Sequence, residues 1–236
     1  MKILAIETAT IEVGVAVADE TGPLATVTAR PGRRQAETLH PAIVDACRIA
    51  RTTPAGLDAV AVDIGPGLFT GLRVGVAAAK AIAGALGLPV VTATSLEVLI
   101  AACPPSCGAV VPVIDMRRGE VAWLMPARPS SDIRVGTPAA LADELAALAE
   151  GSRPVLLVGD GAIRHGDLLA RGLVPAPVLG GTELAAPPVA SLAVLAFSAM
   201  EGGLGCDPAA VRPLYGREAD ARINWSSREG RGTVAE

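Results

Sequence analysis

The run from Gly65 to Lys80, GPGLFTGLRVGVAAAK, constrains the fold more than any other stretch of this chain. It follows Ala59-Val60-Ala61-Val62, an apolar run of strand length that Gly65-Pro66-Gly67 brings to an end. After Thr70-Gly71 a helix opens, and almost every residue on it is small. Glycine lets backbone approach backbone or ligand, and a helix start collects unpaired amide donors. Val74, Ala77, Ala78, Ala81, Ile82 and Ala85 recur at helical spacing, which predicts that something packs very close to this helix. Either the loop holds a phosphate or the helix holds protein.

Composition narrows the choice. The chain has 236 residues, enough to bury a core, and is 51% apolar but only 2% aromatic, which suits an α/β protein packed through small side chains. Its net charge is −4 and no basic cluster stands out, which argues against a direct grip on a polyanion. A role in nucleic-acid chemistry would therefore need a partner to supply positive surface. Met1-Lys2 runs straight into a strand, so no signal peptide is expected. Ala81 to Ile114 carries one charge, Glu97, yet prolines and glycines cut it into core-length pieces, and no membrane span is expected there. Cys47, Cys103, Cys107 and Cys206 are too few and too scattered for a disulfide framework or a zinc site. Free thiols point to the cytoplasm.

The chain reads as built twice. Lys2 to Asp19 has the shape strand, polar turn, strand, and Ala109 to Pro126 repeats it. Ile6-Glu7 matches Ile114-Asp115, and Glu12-Val13 matches Glu120-Val121 at the same offset. Further on, Ala59–Val62 runs into Gly65-Pro66-Gly67 as Val155–Val158 runs into Gly159-Asp160-Gly161. Two correspondences in one order favour duplication. The expected division is a first subdomain over 1–106, a second over 107–215 and a flexible tail over 216–236, in which Ile223 and Trp225 are the large apolar residues. Helices are predicted over Gln35–Arg51, from Gly71 to Leu86, after a Thr137-Pro138 cap up to Gly151, and over Ser191–Met200.

A duplicated hairpin-helix-strand-helix unit with a carboxylate at its first turn suggests the actin-like (ASKHA) ATPase fold, two similar subdomains each with a mixed sheet flanked by helices. The segments IETAT (6–10), GPGLFTGLRVGVAAAK (65–80), ATSLEVL (93–99), VIDMRRGEV (113–121) and VGDGA (158–162) closely resemble the TsaB family, also called YeaZ. The resemblance covers most of the chain up to about Tyr215. It implies the smaller, non-catalytic subunit of the bacterial complex that makes threonylcarbamoyladenosine in tRNA. It also implies a catalytic paralogue, TsaD, as partner, an ATPase, TsaE, docking at their joint, and tRNA contacted only indirectly. In that family the helix pair of the first half meets its counterpart in TsaD, and one self-complementary patch can serve homodimer and heterodimer alike. The contacts this implies here are Leu39, Ile43, Cys47, Arg73, Val74, Ala77, Lys80 and Ala81. The plainer alternative is that both helices merely pack on their own sheet.

Glu7-Thr8-Ala9-Thr10 stands where an actin-like protein turns its first hairpin around phosphates, and an acid there could hold magnesium through water. The alternative is an ordinary polar turn. The corresponding turn of the second half, Met116-Arg117-Arg118-Gly119, offers bulk where close phosphate approach wants glycine. A vestigial nucleotide or anion site would comprise Glu7, Thr8, Thr10, Gly65, Gly67, Asp115, Gly159 and Gly161. Half of a catalytic ATPase constellation is missing. Gly65–Gly71 lacks the lysine and hydroxyl of a P-loop, so its glycines are expected to serve close packing.

Relatives usually carry aspartate at Glu7, serine at Leu68 and histidine at Gln35. The metal-binding histidine pair of TsaD falls on Ser95 and Leu99, which cannot replace it, and His40 and His165 are far apart in sequence, the latter expected in solvent. No metal site and no catalytic residues are expected, and no cofactor is required. Whether ATP or ADP with magnesium occupies the joint, and whether the isolated chain is a homodimer, stay open. The competing readings are an independent actin-like kinase or hydrolase built on Glu7, Asp115 and the Gly65 and Gly159 loops, and, behind it, a glycoprotease-like metallopeptidase.

Overall fold

The computed structural model describes residues 1–32, 34–148 and 154–216. The chain begins with β1 (Ile3–Glu7), β2 (Val13–Asp19) and β3 (Gly22–Ala29), continues through α1 (Gln35–Ile49), β4 (Ala59–Asp63), α2 (Phe69–Leu86) and β5 (Val90–Ala93), and reaches α3 (Ser95–Ala101). The second half follows with β6 (Val110–Arg117), β7 (Glu120–Trp123), β8 (Arg134–Gly136), α4 (Pro138–Leu148), β9 (Leu156–Val158), α5 (Asp160–Leu169), β10 (Val178–Leu179) and α6 (Val189–Glu201).

Two five-stranded sheets result, ordered β3-β2-β1-β4-β5 and β10-β9-β6-β7-β8. In the first, β1 pairs antiparallel with β2 and parallel with β4. In the second, β6 pairs antiparallel with β7 and parallel with β9. The two sheets therefore share one topology, with β1 matching β6 and β4 matching β9, and the duplication read from the sequence is a duplication in space. The backbone repeats as well: Gly65 and Gly159, which follow β4 and β9, both have φ 102°, a conformation open essentially to glycine.

Strands β1, β2 and β4 of the first sheet are apolar on both faces because both are covered there. Leu4 and Ile6 of β1 face α1 and α2, where Leu39, Ile43, Cys47, Val76, Ala79 and Ala83 complete one cluster. Ile3 and Ala5, pointing the other way, pack against Leu192, Ala193 and Ala196 of α6. Each large side chain buried in this way stabilises the fold by about 1.5–3 kcal/mol. The inner face of the second sheet meets α3, whose Leu96 and Leu99 pack on Ile114, Leu124 and Val158. Helix α3 is held by a capping box, with Thr94 N donating to Glu97 Oε2 (2.7 Å) and Glu97 N to Thr94 Oγ1 (3.2 Å).

The division expected at 106/107 falls in the short turn Pro105–Cys107 between α3 and β6. Helix α6 and the strap after it, residues 204–216, return to the first sheet. Cys206 and Val90 exchange backbone bonds (2.8 and 2.9 Å), and Val211 is buried in the cluster under α2. The tail residues after Gly216, Ile223 and Trp225 among them, lie outside the described residues, as does the stop at Gly151. Among the described helices, α2 has the length and apolarity of a membrane span, yet Gly71, Leu72, Gly75, Val76, Ala79 and Ala83 are buried within the fold.

Candidate functional site

The ends of β1 and β4 bring two carboxyls together. Because Ile6 is in register with Val62, Glu7 and Asp63 are neighbours across the parallel pair, 1% and 0% exposed. Glu7 Oε1 accepts from Ala9 N (2.8 Å), and Asp63 Oδ1 accepts from Gly65 N (2.7 Å) and Ser95 Oγ (2.8 Å). Burial, then the charge of the neighbouring Asp63, pushes Glu7 well above the usual carboxylate range, and burial takes Asp63 up to about 7. The charges that act on them come from further acids, Glu12 on Glu7 and Glu97 on Asp63. Both shifts favour the protonated form of the pair.

The hairpin turn after β1 is filled by the chain itself. Thr8 Oγ1 donates to Gly71 O (2.8 Å), Leu68 N donates to Ala9 O (2.6 Å), and Gln35 Nε2 donates to Thr10 O (2.7 Å). A methyl group on Gly67 would run into Ala9 O, one on Gly71 into Thr8 O, and one on Gly75 into Thr8 Oγ1. The glycines of the 65–75 run thus let the start of α2 press on this turn. The donors a phosphate would want there, Ala9 N and Thr8 Oγ1, are committed to Glu7 and Gly71.

The second half handles its matching acid differently. Asp115 is 4% exposed, and its Oδ2 accepts from Arg164 Nη1 (2.7 Å) and Arg117 Nη1 (3.0 Å). Its backbone N donates to Asp160 Oδ1 (2.8 Å), and burial raises Asp160 above its ordinary range. Arg117 and Arg118 take positive φ, 63° and 54°, around the turn to Gly119. Gly159 and Gly161 press on β6 at Val113 and Ile114 as the first-half glycines press on the turn after β1. The eight residues named for an anion site thus fall into two groups, one in each half, each engaged by contacts within the chain.

Ser95 and Leu99 have structural roles, the first bonded to Asp63 and the second fully buried. His40 is exposed on α1, whereas His165 is half-buried on α5 with Nε2 enclosed, not in solvent as the sequence suggested. Among the described residues no three His, Cys, Asp or Glu side chains converge as metal ligands.

The helix pair needs correction. Leu39, Ile43 and Cys47 are 3%, 7% and 5% exposed and pack into the core, so they offer a partner almost no surface. The apolar stripe of α1 is its inner face, and its outer face carries His40, Val44 and Arg48. Val74 is half-buried against the same core. On α2, Phe69, Arg73, Ala77 and Ala81 do form an exposed ridge at four-residue spacing. Lys80 reaches sideways to the strap, donating to Ala209 O (3.3 Å) and Val211 O (3.1 Å). Arg73 lies over the Phe69 ring (3.8 Å to the centroid) and donates through Nε to Tyr215 OH (3.1 Å), while the Phe69 and Tyr215 rings are 5.1 Å apart. Sequence reasoning missed Phe69 and Tyr215, and the available signal was two exposed aromatic rings in a chain with so few.

Duplicated mixed sheets, helices on both sides and matched glycine turns after the parallel strands define an α/β protein of the actin-like ATPase fold. The ADPNP-bound activator of the 2-hydroxyisocaproyl-CoA dehydratase from Clostridium difficile superimposes with TM-score 0.50 at 8% identity, over 86% of this chain and 97% of its own. An uncharacterised protein with similarity to peptidase YEAZ, from Pseudomonas aeruginosa, is much nearer, with TM-score 0.76 at 25% identity over 92% of this chain and 99% of its own. Residues 26–149, more than half of the chain, match the family model TsaD: tRNA N6-adenosine threonylcarbamoyltransferase. The Bacillus subtilis tRNA threonylcarbamoyladenosine biosynthesis protein TsaB is 29% identical over 228 residues, 95% of this chain and 98% of its own length. The chain belongs to the TsaB, or YeaZ, family.

Proposed function

We propose that this protein takes part in tRNA threonylcarbamoyladenosine biosynthesis as the non-catalytic partner and activator of a TsaD-type transferase. The observation that carries this reading is the exposed ridge of α2. Its middle is alanine, Ala77 and Ala81, so a second helix can approach closely, while Phe69 and Arg73 at one end supply an aromatic and a guanidinium of the kind that anchors interfaces. The names of the relatives support the pathway, and the two self-occupied acid clusters support a supporting role over catalysis. A nucleotide with magnesium does not fit the turn after β1, where the start of α2 takes up the donors and the space. A TsaE-type ATPase would act at the joint of the two subunits, and tRNA would be held by the transferase. The compartment of such a complex is the cytoplasm.

Light scattering on a sizing column, with the protein alone and mixed with TsaD of the same organism, tests the proposal. A stable one-to-one complex is expected, formed at the expense of any homodimer. No complex, with TsaE and ATP also present, would overturn it.

A further inference from the structure

Two cysteines at the joint between the halves, Cys103 and Cys107, have no part in the partner reading. They stand on either side of Pro104-Pro105-Ser106, and both are partly exposed free thiols. We propose that they close into a reversible disulfide, a redox modification site whose oxidant is a small organic disulfide.

The local backbone sets the pair up. Cys103 lies just past α3, its N donating to Ile100 O (3.0 Å), and the helix stops there because Pro104 and Pro105 follow. Pro104 is extended, and a 3₁₀ turn over Pro105–Cys107 then folds the chain back, with Cys107 N donating to Pro104 O (3.0 Å). A turn of this kind keeps its ends within about 7 Å. Gly108, at φ 77°, afterwards leads the chain away into β6. Two proline rings fix φ on this short arc, so little chain freedom is lost when it is closed covalently.

The two thiols have distinct parts. Cys103 packs against the cluster under α3, and its Sγ donates to Leu99 O (3.3 Å). Burial, then the charge of the neighbouring Cys107, pushes its thiol up, so Cys103 is the poorer nucleophile while Cys107 is a thiolate. The Cys107 thiolate attacks one sulfur of the small disulfide, forming a mixed disulfide and expelling one thiolate. Cys107 then carries no charge, and the repulsion that helped to hold the proton on Cys103 is gone. Cys103 gives its proton to solvent, and its thiolate attacks the Cys107 sulfur and expels the second small thiolate. The protein is oxidised by two electrons, and the small disulfide is reduced to two thiols. A reducing thiol pool drives the same steps backwards, which suits a transient mark and not a structural bridge.

The test uses the reduced full chain, incubated with millimolar glutathione disulfide, quenched with an alkylating reagent and cut with trypsin. Residues 81–117 leave as one peptide that carries both thiols. That peptide should be recovered unalkylated and two hydrogens lighter than its reduced form, and dithiothreitol should restore it. Cys103→Ser removes the resolving thiol, so Cys107 should keep glutathione, with the mixed disulfide about tenfold or more above the wild-type level. Cys107→Ser removes the first nucleophile and should slow the reaction of Cys103 by about tenfold or more. The wild-type result needs no variant to fold. A wild-type chain that keeps glutathione on Cys107, that bridges either thiol to Cys47 or Cys206, or that stays fully reduced would overturn the proposal.

Discussion

Glu7 and Asp63 sit side by side on adjacent parallel strands, both buried, and the groups hydrogen-bonded to them include no basic side chain. Asp115, the counterpart of Glu7 in the second half, is closed by two guanidiniums instead. One scaffold copied twice thus sets a second carboxyl beside this acid in one half and two guanidiniums beside it in the other. The difference makes the first half sensitive to pH.

Both carboxyls of the pair are raised on folding, so the folded state binds more protons than the unfolded one, and stability falls as pH rises. The stabilisation is complete below the unfolded value near 3.8 and is lost as pH rises through the folded value of about 7 for Asp63, with further loss where Glu7 gives up its proton. Asp63→Asn keeps an oxygen for Gly65 N and Ser95 Oγ and removes one charge. Its urea-unfolding free energy should change less between pH 5 and pH 8 than that of the wild type. An equally steep decline in the variant would mean that the pair does not hold the proton.

The glycines of α2 are predicted to matter through space rather than conformation. Gly75→Ala drives a methyl into Thr8 Oγ1 and should cost about 1–3 kcal/mol in denaturant unfolding. Thr8→Ala removes the obstacle, so the double variant should lose clearly less than the two single costs added, a coupling of about 1 kcal/mol. Strict additivity would show that the contact is not what selects glycine.

Arg73 holds the strap to α2 through Tyr215 and Phe69. At this exposed site Arg73→Ala should cost about 1 kcal/mol or less globally. Hydrogen exchange of the Leu214 amide, bonded to Ile64 O (2.7 Å), should nonetheless quicken several-fold. Unchanged exchange would mean that the backbone bond holds the strap alone.

Ala77→Glu puts a charge in the middle of the α2 ridge. Binding to TsaD should weaken by more than tenfold, about 1.4 kcal/mol. Stability of the isolated chain should stay within about 0.5 kcal/mol, because Ala77 is exposed. Normal pairing by this variant would move the interface elsewhere.

The duplication was legible because Ile6-Glu7 and Ile114-Asp115 repeat at a fixed offset ahead of matching glycine turns. The packing role of the glycines was legible too, since a loop without a P-loop lysine has little other use for them. Leu39, Ile43 and Cys47 were misplaced for a physical reason: helical periodicity says which residues share a face, and the same stripe suits a sheet or a partner. The Glu7–Asp63 pair and the Tyr215–Arg73 contact join residues far apart in sequence, through strand register and chain return, and neither leaves a local pattern.

The return of the chain to its first sheet has a further consequence. Copies that arose in tandem would ordinarily be separable by a single cut between Ala93 and Val110, but such a cut would leave the first half without α6 over Ile3 and Ala5 and without Val211 beneath α2. A self-sufficient first half would have to carry residues 189–216 grafted onto it, most simply by circular permutation. The two copies are interlocked like a buckle whose tongue comes from the opposite strap-end, and neither is a portable module.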